Sequence, residues 1–355
     1  MSRKEKRKNS NKKMKIFIIV TLLVIIIAAG ILAYMVFFKN KGNDIISNIE
    51  DNNGIIEEVI NNNGVKIYSG NERPIAVMID NHKGAWPQAG LKKAYAIYEI
   101  IVEGGETRLM AVFKGQDVEK IGPVRSSRHY FLDYALENDA IYAHYGWSPK
   151  AESDIKTLGV NNINGITESD KDFWRIKQKS SPHNVLTSTS KIKEIAKNKN
   201  YKLTSTKESV LNYVTNEVEL EEGKTANKVT IPYSDLHTTS YVYDETSKTY
   251  TRYARGIKQT DFETNESITT KNIIITFVKN TVLNDGENKD RQNLSNIGTF
   301  KGYYITDGKA IEITCEKSDR KSQTVYKDLN GKEIEVNDGN TFFNICPIDA
   351  NVTFE

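Results

Sequence analysis

An α/β or α+β domain over residues 72–203, followed by a mostly antiparallel β domain over 204–355, is the architecture that three observations predict. Before about residue 200, apolar runs of strand length alternate with stretches of helical spacing. After it, Thr, Tyr, Val and Ile alternate with polar residues, and turn chemistry such as Asp307-Gly308 and Asn330-Gly331 separates the runs. Ahead of both, residues 16–38 are 23 residues without a charge, about 35 Å as a helix and enough to cross a bilayer.

The N-terminal appendage divides in three. Residues 1–15 carry Arg3, Lys4, Lys6, Arg7, Lys8, Lys12, Lys13 and Lys15 against Glu5 alone, so the positive-inside rule keeps this basic tail in the cytoplasm and the bulk of the chain outside. Residues 16–38 are then the single transmembrane helix. Ala28-Ala29-Gly30 offers small residues for signal cleavage, but the eight apolar residues that follow suit an anchor better. Residues 39–71 are Asn-rich and broken by Asp51-Asn52-Asn53-Gly54 and Asn61-Asn62-Asn63-Gly64. They predict a flexible stalk with a reach on the order of 30 Å.

Within 72–203, the run from Pro74 to Asn81 reads as a buried strand, and 95–102 and 107–113 as two more. Gly122-Pro123 interrupts the chain before Val124-Arg125-Ser126-Ser127-Arg128-His129. The almost wholly apolar 130–136 predicts a buried helix, with Ser126 or Ser127 as its N-cap. A strand over 140–145, a helix over 149–158 opened by Pro149, and a polar helix over 188–199 complete the domain. In the second domain, 241–243 and 250–253 flank a turn, and 271–279 holds the most apolar strand. Cys315 falls in phase with Ile311 and Ile313, so it and Cys346 read as unpaired core thiols, although a disulfide is permitted outside the membrane.

The net charge of +3 hides an asymmetry. Residues 1–41 hold ten Lys/Arg and one Asp/Glu, leaving 39 against 45 beyond them, a net of −6. A mildly acidic outer part argues against a nucleic-acid partner. With neither a phosphate-binding glycine loop nor zinc-type Cys/His spacing, no cofactor and no metal are expected.

The chemistry concentrates around 121–129. Arginines at a helix start face an already positive dipole, at a cost of about 0.3–1 kcal/mol each, so Arg125 and Arg128 need compensation. An anionic ligand would supply it, held by Arg108, Arg125, Ser126, Arg128 and Asn184. The internal alternative pairs Asp133 with His129 or Arg128, and Glu99, Glu103 or Glu106 with the remaining arginine. Asp80, His82 and His183 end strands or sit in loops and are the candidate catalytic bases. Weaker patterns are a metal set of Asp80, His82, His129 and His144, and a Ser126 or Ser127 nucleophile beside His129. Acid–base use of Glu99, Glu103 and Glu106 on a glycoside is another. Trp86-Pro87 and Phe173-Trp174 carry aromatics suited to gripping a sugar or packing on the core.

Several of these motifs together resemble the YerB-like family of bacterial, largely Gram-positive lipoproteins. They are the run from Arg73 to Asn81, Glu106-Thr107-Arg108, Ile121 to Arg128 and Ser181-Pro182-His183-Asn184, with 243–275 and 337–341 in the second half. The resemblance covers roughly 72–350. It implies a two-domain protein at the cell surface and no established activity. This sequence departs from the lipoprotein pattern, because no cysteine follows the hydrophobic stretch; the span itself would have to anchor the chain. Thr107 to Val112 followed by Pro123 to Ser126 is also similar in layout to the LytR-CpsA-Psr envelope transferases, which present strand-end arginines to a lipid-linked pyrophosphate.

The reading that follows is a membrane-anchored extracytoplasmic binding or regulatory module, non-catalytic, recognising an anionic ligand such as a wall precursor or an acidic group of an envelope protein. The alternatives are an envelope enzyme acting on a phosphate-linked glycan, and a scaffold working through the C-terminal β domain. A cleft lined jointly by Asp80, His82, Arg125, Arg128 and His183 would favour the enzyme; arginines buried against carboxylates would oppose it.

Overall fold

The computed structural model describes residues 64–355 apart from Asn288. The expected basic tail, the expected transmembrane span and most of the expected stalk lie outside the described residues. No helix among those described is long and apolar enough to cross a membrane.

The first half places five strands in the main sheet and packs three α-helices with them. The strands are β1 Ile75–Asp80, β2 Ala96–Ile101, β3 Thr107–Phe113, β4 Ile141–His144 and β5 Asn162–Asn164; the helices are α1 Phe131–Glu137, α2 Pro149–Leu158 and α3 Thr189–Asn198. In α2, Ser148 accepts a hydrogen bond from Ala151 N at 3.3 Å, Pro149 occupies the first turn, and Gly159 closes the helix at φ +69°. In α3, Ser188 caps Lys191 N in the same way. The second half contributes β6 Lys228–Pro232, β7 Thr238–Asp244, β8 Thr249–Ala254, β9 Asn272–Val278, β10 Gly298–Thr306, β11 Lys309–Lys317, β12 Val325–Lys327, β13 Thr341–Pro347 and β14 Thr353–Phe354. It is strand-rich and largely antiparallel.

One long sheet crosses both halves, in the order β12-β11-β10-β9-β13-β2-β3-β1-β4-β5. Near the C terminus in sequence, β13 lies between β9 and β2 in space, parallel to each. On the other side of β2, the strands β2, β3 and β1 are antiparallel, whereas β1, β4 and β5 run parallel. Central strands buried on both faces require near-continuous apolar sequence, and every residue of β1, β3 and β13 is buried. Alternate residues divide between two cores. Ala76 and Met78 join Phe131, Leu132 and Ile155 of α1 and α2, while Ile75, Val77 and Ile79 share the opposite core with Ile192 of α3. That second core also takes Val229, Ile231, Tyr241 and Tyr250 from a smaller sheet containing β8-β7-β6-β14.

Two local expectations need correction. The stalk does not extend to residue 71, because Val65 and Tyr68 are buried and Asp338 accepts bonds from Lys66 N and Ile67 N, each at 2.9 Å. Nor do Ser126 or Ser127 cap the buried helix. It begins at Phe131 with Tyr130 at its N-cap and no side-chain cap bond, since Ser127 still bridges to Trp147 and Ser126 precedes it. Both cysteines are free and buried.

Candidate functional site

Parallel strands that splay at their C-terminal ends open a crevice, and here the chain fills it. β1 and β4 pair only through Ile75–Val77 and Ile141–Ala143. Beyond that point the segment 121–128 runs between them as a strap. Arg125 N donates to Met78 O and Tyr145 N donates to Arg125 O, each at 2.9 Å, while Asp80 N donates to Pro123 O at 2.8 Å. Gly122 is required in the strap, at φ +142°, because a Cβ there would lie 2.7 Å from Val185 O. The strap sets Arg125 against the end of β1.

At that end, Asp80 holds three groups. His82 N donates to Oδ1 at 3.0 Å, and His183 Nδ1 lies 2.7 Å from Oδ2. Arg125 Nε is 3.1 Å from the same Oδ2, an ion pair aligned too poorly to count as a hydrogen bond. The rings of His82 and His183 stack at 4.5 Å and 11°. Gly84 keeps them close, since a Cβ there would meet His183 Cδ2 at 3.0 Å. Asp80 is buried, His82 is exposed, and the side chains of His183 and Arg125 keep 18% and 25% of their surface. Four residues from three separate motifs thus form one open cluster.

The other two arginines are spent internally. Arg108, in register with Asp80 on the neighbouring strand, donates to Ser126 O at 2.6 Å and to Glu103 Oε1 at 3.0 Å. Arg128 donates to Ser127 O at 2.7 Å and to Glu103 Oε2 at 2.9 Å, with a second bond from Nη2 to Oε1. Burial alone would raise the Glu103 pKa, but the Arg128 hydrogen bonds and the Arg108 charge hold it at about 2. Burial and the neighbouring Arg128 pull Arg108 down to about 10. Both arginines expose less than a tenth of their side chains. Arg125 differs: among the described residues its Nη groups make no hydrogen bond to protein.

The internal-pairing expectation is therefore half met. Glu103 is the carboxylate, but Asp133 is not paired with His129 or Arg128. Arg320 reaches it instead, Nε to Oδ1 at 2.7 Å, and Asn296 donates to Oδ2 at 2.9 Å. His129 bonds Asn293, and His144 bonds Gly146 O and Asn162, so neither joins Asp80 and His82. Asn184 is committed to Arg175 Nη1 at 2.6 Å and to Ile176 O at 3.2 Å. The Ser126 hydroxyl donates to Tyr145 O, and Ser127 accepts from Tyr142. Glu99 and Glu106 also separate, the first against Arg252 and the second against Arg255. Trp86 donates to Asn81 Oδ1, while Phe173 is buried.

Two partners were not found by sequence reasoning. Nothing local marks Arg320 as the ligand of an aspartate 187 residues earlier. Arg252 carried a weak signal, a charged residue in the apolar phase of an alternating strand, since Tyr250, Arg252 and Ala254 of β8 all point inward.

Known proteins match this arrangement along most of its length. Residues 63–202 match the N-terminal domain, and 229–343 the C-terminal domain, of a protein family of unknown function, DUF3048. The protein named "Putative lipoprotein YerB" of Bacillus subtilis (strain 168) is 33% identical over 293 residues, spanning 78% of this chain and 82% of that protein. The crystal structure of YerB from Bacillus subtilis superposes with a TM-score of 0.71 at 32% identity, covering 80% of this chain and 94% of the other. The chain belongs to the YerB-like, two-domain DUF3048 family.

Proposed function

We propose that the chain is a membrane-anchored extracytoplasmic protein of the cell envelope, whose N-terminal half is a non-catalytic binding or regulatory module for an anionic group. That group is the phosphate of a wall precursor or a carboxylate of a partner. One observation carries the reading: of three motif arginines, two are neutralised by Glu103 while Arg125 keeps its outer nitrogens unpartnered at an open edge. A guanidinium in an ion pair at its Nε edge still offers its Nη donors to an oxyanion. Membrane placement is supported by the basic tail and uncharged run at the N terminus, and by the lipoprotein name of the Bacillus subtilis relative.

The experiment is a thermal-shift screen of the full-length chain against lipid-linked wall precursors and acidic peptides, with Arg125→Gln as the control. Stabilisation that disappears in the variant supports the module. No shift with any anion, or a shift unchanged by Arg125→Gln, opposes it.

A second reading, an envelope enzyme acting on a phosphate-linked glycan, draws support from the Asp80–His183 contact of 2.7 Å. A carboxylate on Nδ1 orients a histidine as a general base through Nε2. Turnover of a phosphate-linked glycan that His183→Gln abolishes without loss of binding would replace the first reading with this one.

A further inference from the structure

We propose that the site selects an anion bearing a hydrogen-bond donor beside its charged oxygens: a hydrogen phosphate, or a phosphate ester with a neighbouring hydroxyl. This rests on the anion-binding reading and specifies its ligand class. The argument comes from the protons of the two stacked histidines. His82 Nδ1 accepts the backbone N–H of Gly84 at 3.0 Å, so that nitrogen is bare and the ring proton sits on Nε2. His183 Nδ1 lies 2.7 Å from Asp80 Oδ2, an acceptor, so in the neutral ring the proton is on Nδ1 and Nε2 is bare. Two rings stacked face to face at 4.5 Å thus carry opposite tautomers. One offers an N–H and the other a lone pair.

Beside them Arg125 adds further donors without an acceptor. The site contains more donors than acceptors, as an anion requires, and a single acceptor that a bare oxyanion leaves unsatisfied. Sulfate and fully ionised simple esters would set an oxygen lone pair against His183 Nε2. A P–OH, or a hydroxyl on an adjacent carbon, would donate to it. An unmade bond to a site built for a donor is the kind of defect that separates otherwise similar ligands.

The test is isothermal titration of the full-length chain in detergent micelles at about pH 8, with phosphate against sulfate and glycerol phosphate against propyl phosphate. At that pH both members of the first pair are chiefly dianions that differ by the P–OH, and the second pair differs by the carbon hydroxyls. The expected result is a preference of about tenfold for the hydroxylated member of at least one pair, and which pair shows it identifies the source of the donor. His183→Lys, which replaces the acceptor with a donor, should bring that ratio to one or below. Should that variant not fold, Asp80→Asn serves, because an amide no longer fixes the His183 proton on Nδ1. Equal affinity within both pairs overturns the inference and leaves anion binding intact. A preference that survives the variant overturns it as well. No binding of any of the four overturns this inference, and the acidic-peptide arm of the thermal-shift screen then decides the function it rests on.

Discussion

Glu99 and Arg252 form an ion pair, Oε2 to Nη2 at 2.8 Å, in which neither side chain has any exposed surface. Glu99 stands on β2 and Arg252 on β8, so the bond ties the long sheet to the smaller one. Its other oxygen accepts from Asn81 at 3.1 Å, Thr107 at 2.8 Å, His237 at 3.0 Å and Thr239 at 2.9 Å. Burial opposes the charge on Glu99, yet Arg252 and His237 depress its pKa. Arg252 Nε and Nη1 lack hydrogen bonds, and the guanidinium lies 5.6 Å from the Phe342 ring.

Glu99→Gln therefore keeps the shape and removes the charge that Arg252 depends on. Breaking one side of a buried pair costs about 3–5 kcal/mol. The urea midpoint should fall accordingly with an unchanged denaturant slope. Adding Arg252→Met should recover part of the loss, because the stranded cation is then gone; no recovery in the double variant would refute the role of the stranded charge.

Glu103→Gln separates stability from binding. Its carboxylate is the shared partner of Arg108 and Arg128, and an unpaired charged group of this kind costs on the order of 2 kcal/mol. The same change frees two arginines close to Arg125, whose charges already influence Arg108. Thermal stability should drop while affinity for phosphate rises. A fall in both would mean that the arginines collapse rather than open to an anion.

How far the sequence announced these features depends on their range. β1, β3 and α2 were legible because a strand-length apolar run or a Ser148-Pro149 cap with Gly159 is local information. The family motifs pointed to the right region, since Asp80, Arg125 and His183 do meet. Their division of labour was not legible. Glu103 neutralises Arg108 and Arg128 only because the turn after β2 folds back beneath the strap, and Asp133 finds its cation 187 residues away. The placement of β13 was equally hidden, because an apolar strand carries no mark of its neighbours.

Acid should weaken the fold through its buried histidines. Burial holds His144 and His129 at about 4, below the ordinary 6.5 of the unfolded chain. A histidine kept neutral contributes stability that is complete above pH 6.5 and is lost as pH falls through 4, about 3 kcal/mol for each. Asp133 acts with the opposite sign: burial raises it to about 6, so its contribution grows as pH falls from 6 toward 3.8. Two histidines against one aspartate leave a net loss. Urea midpoints should be lower at pH 4.5 than at 7, and NMR titration should show two imidazoles that remain neutral down to about pH 4. Five imidazoles all titrating near 6.5 would remove this account.

The first half should not fold by itself. β2 pairs with β13 from Ala96↔Thr341 to Ile100↔Ile345, and the Tyr98 ring stacks on Phe343 at 4.4 Å and 8°. Residues 204–355 also supply His237, Thr239 and Arg252 to Glu99, and Arg320 to Asp133 and Asp154. Cutting after residue 203 would expose the apolar edge of β2 and leave the buried carboxylates of Glu99, Asp133 and Glu137 without their cations, each an expensive defect. A fragment of residues 64–203 should accordingly be insoluble or unfold without a cooperative transition, and co-expression with 204–355 should restore a soluble complex. A cooperative, soluble fragment would show that the sheet is complete before β13 joins it. Deletion of the C-terminal half is thus no clean test of a scaffold role, because losing partner complexes would follow from unfolding alone.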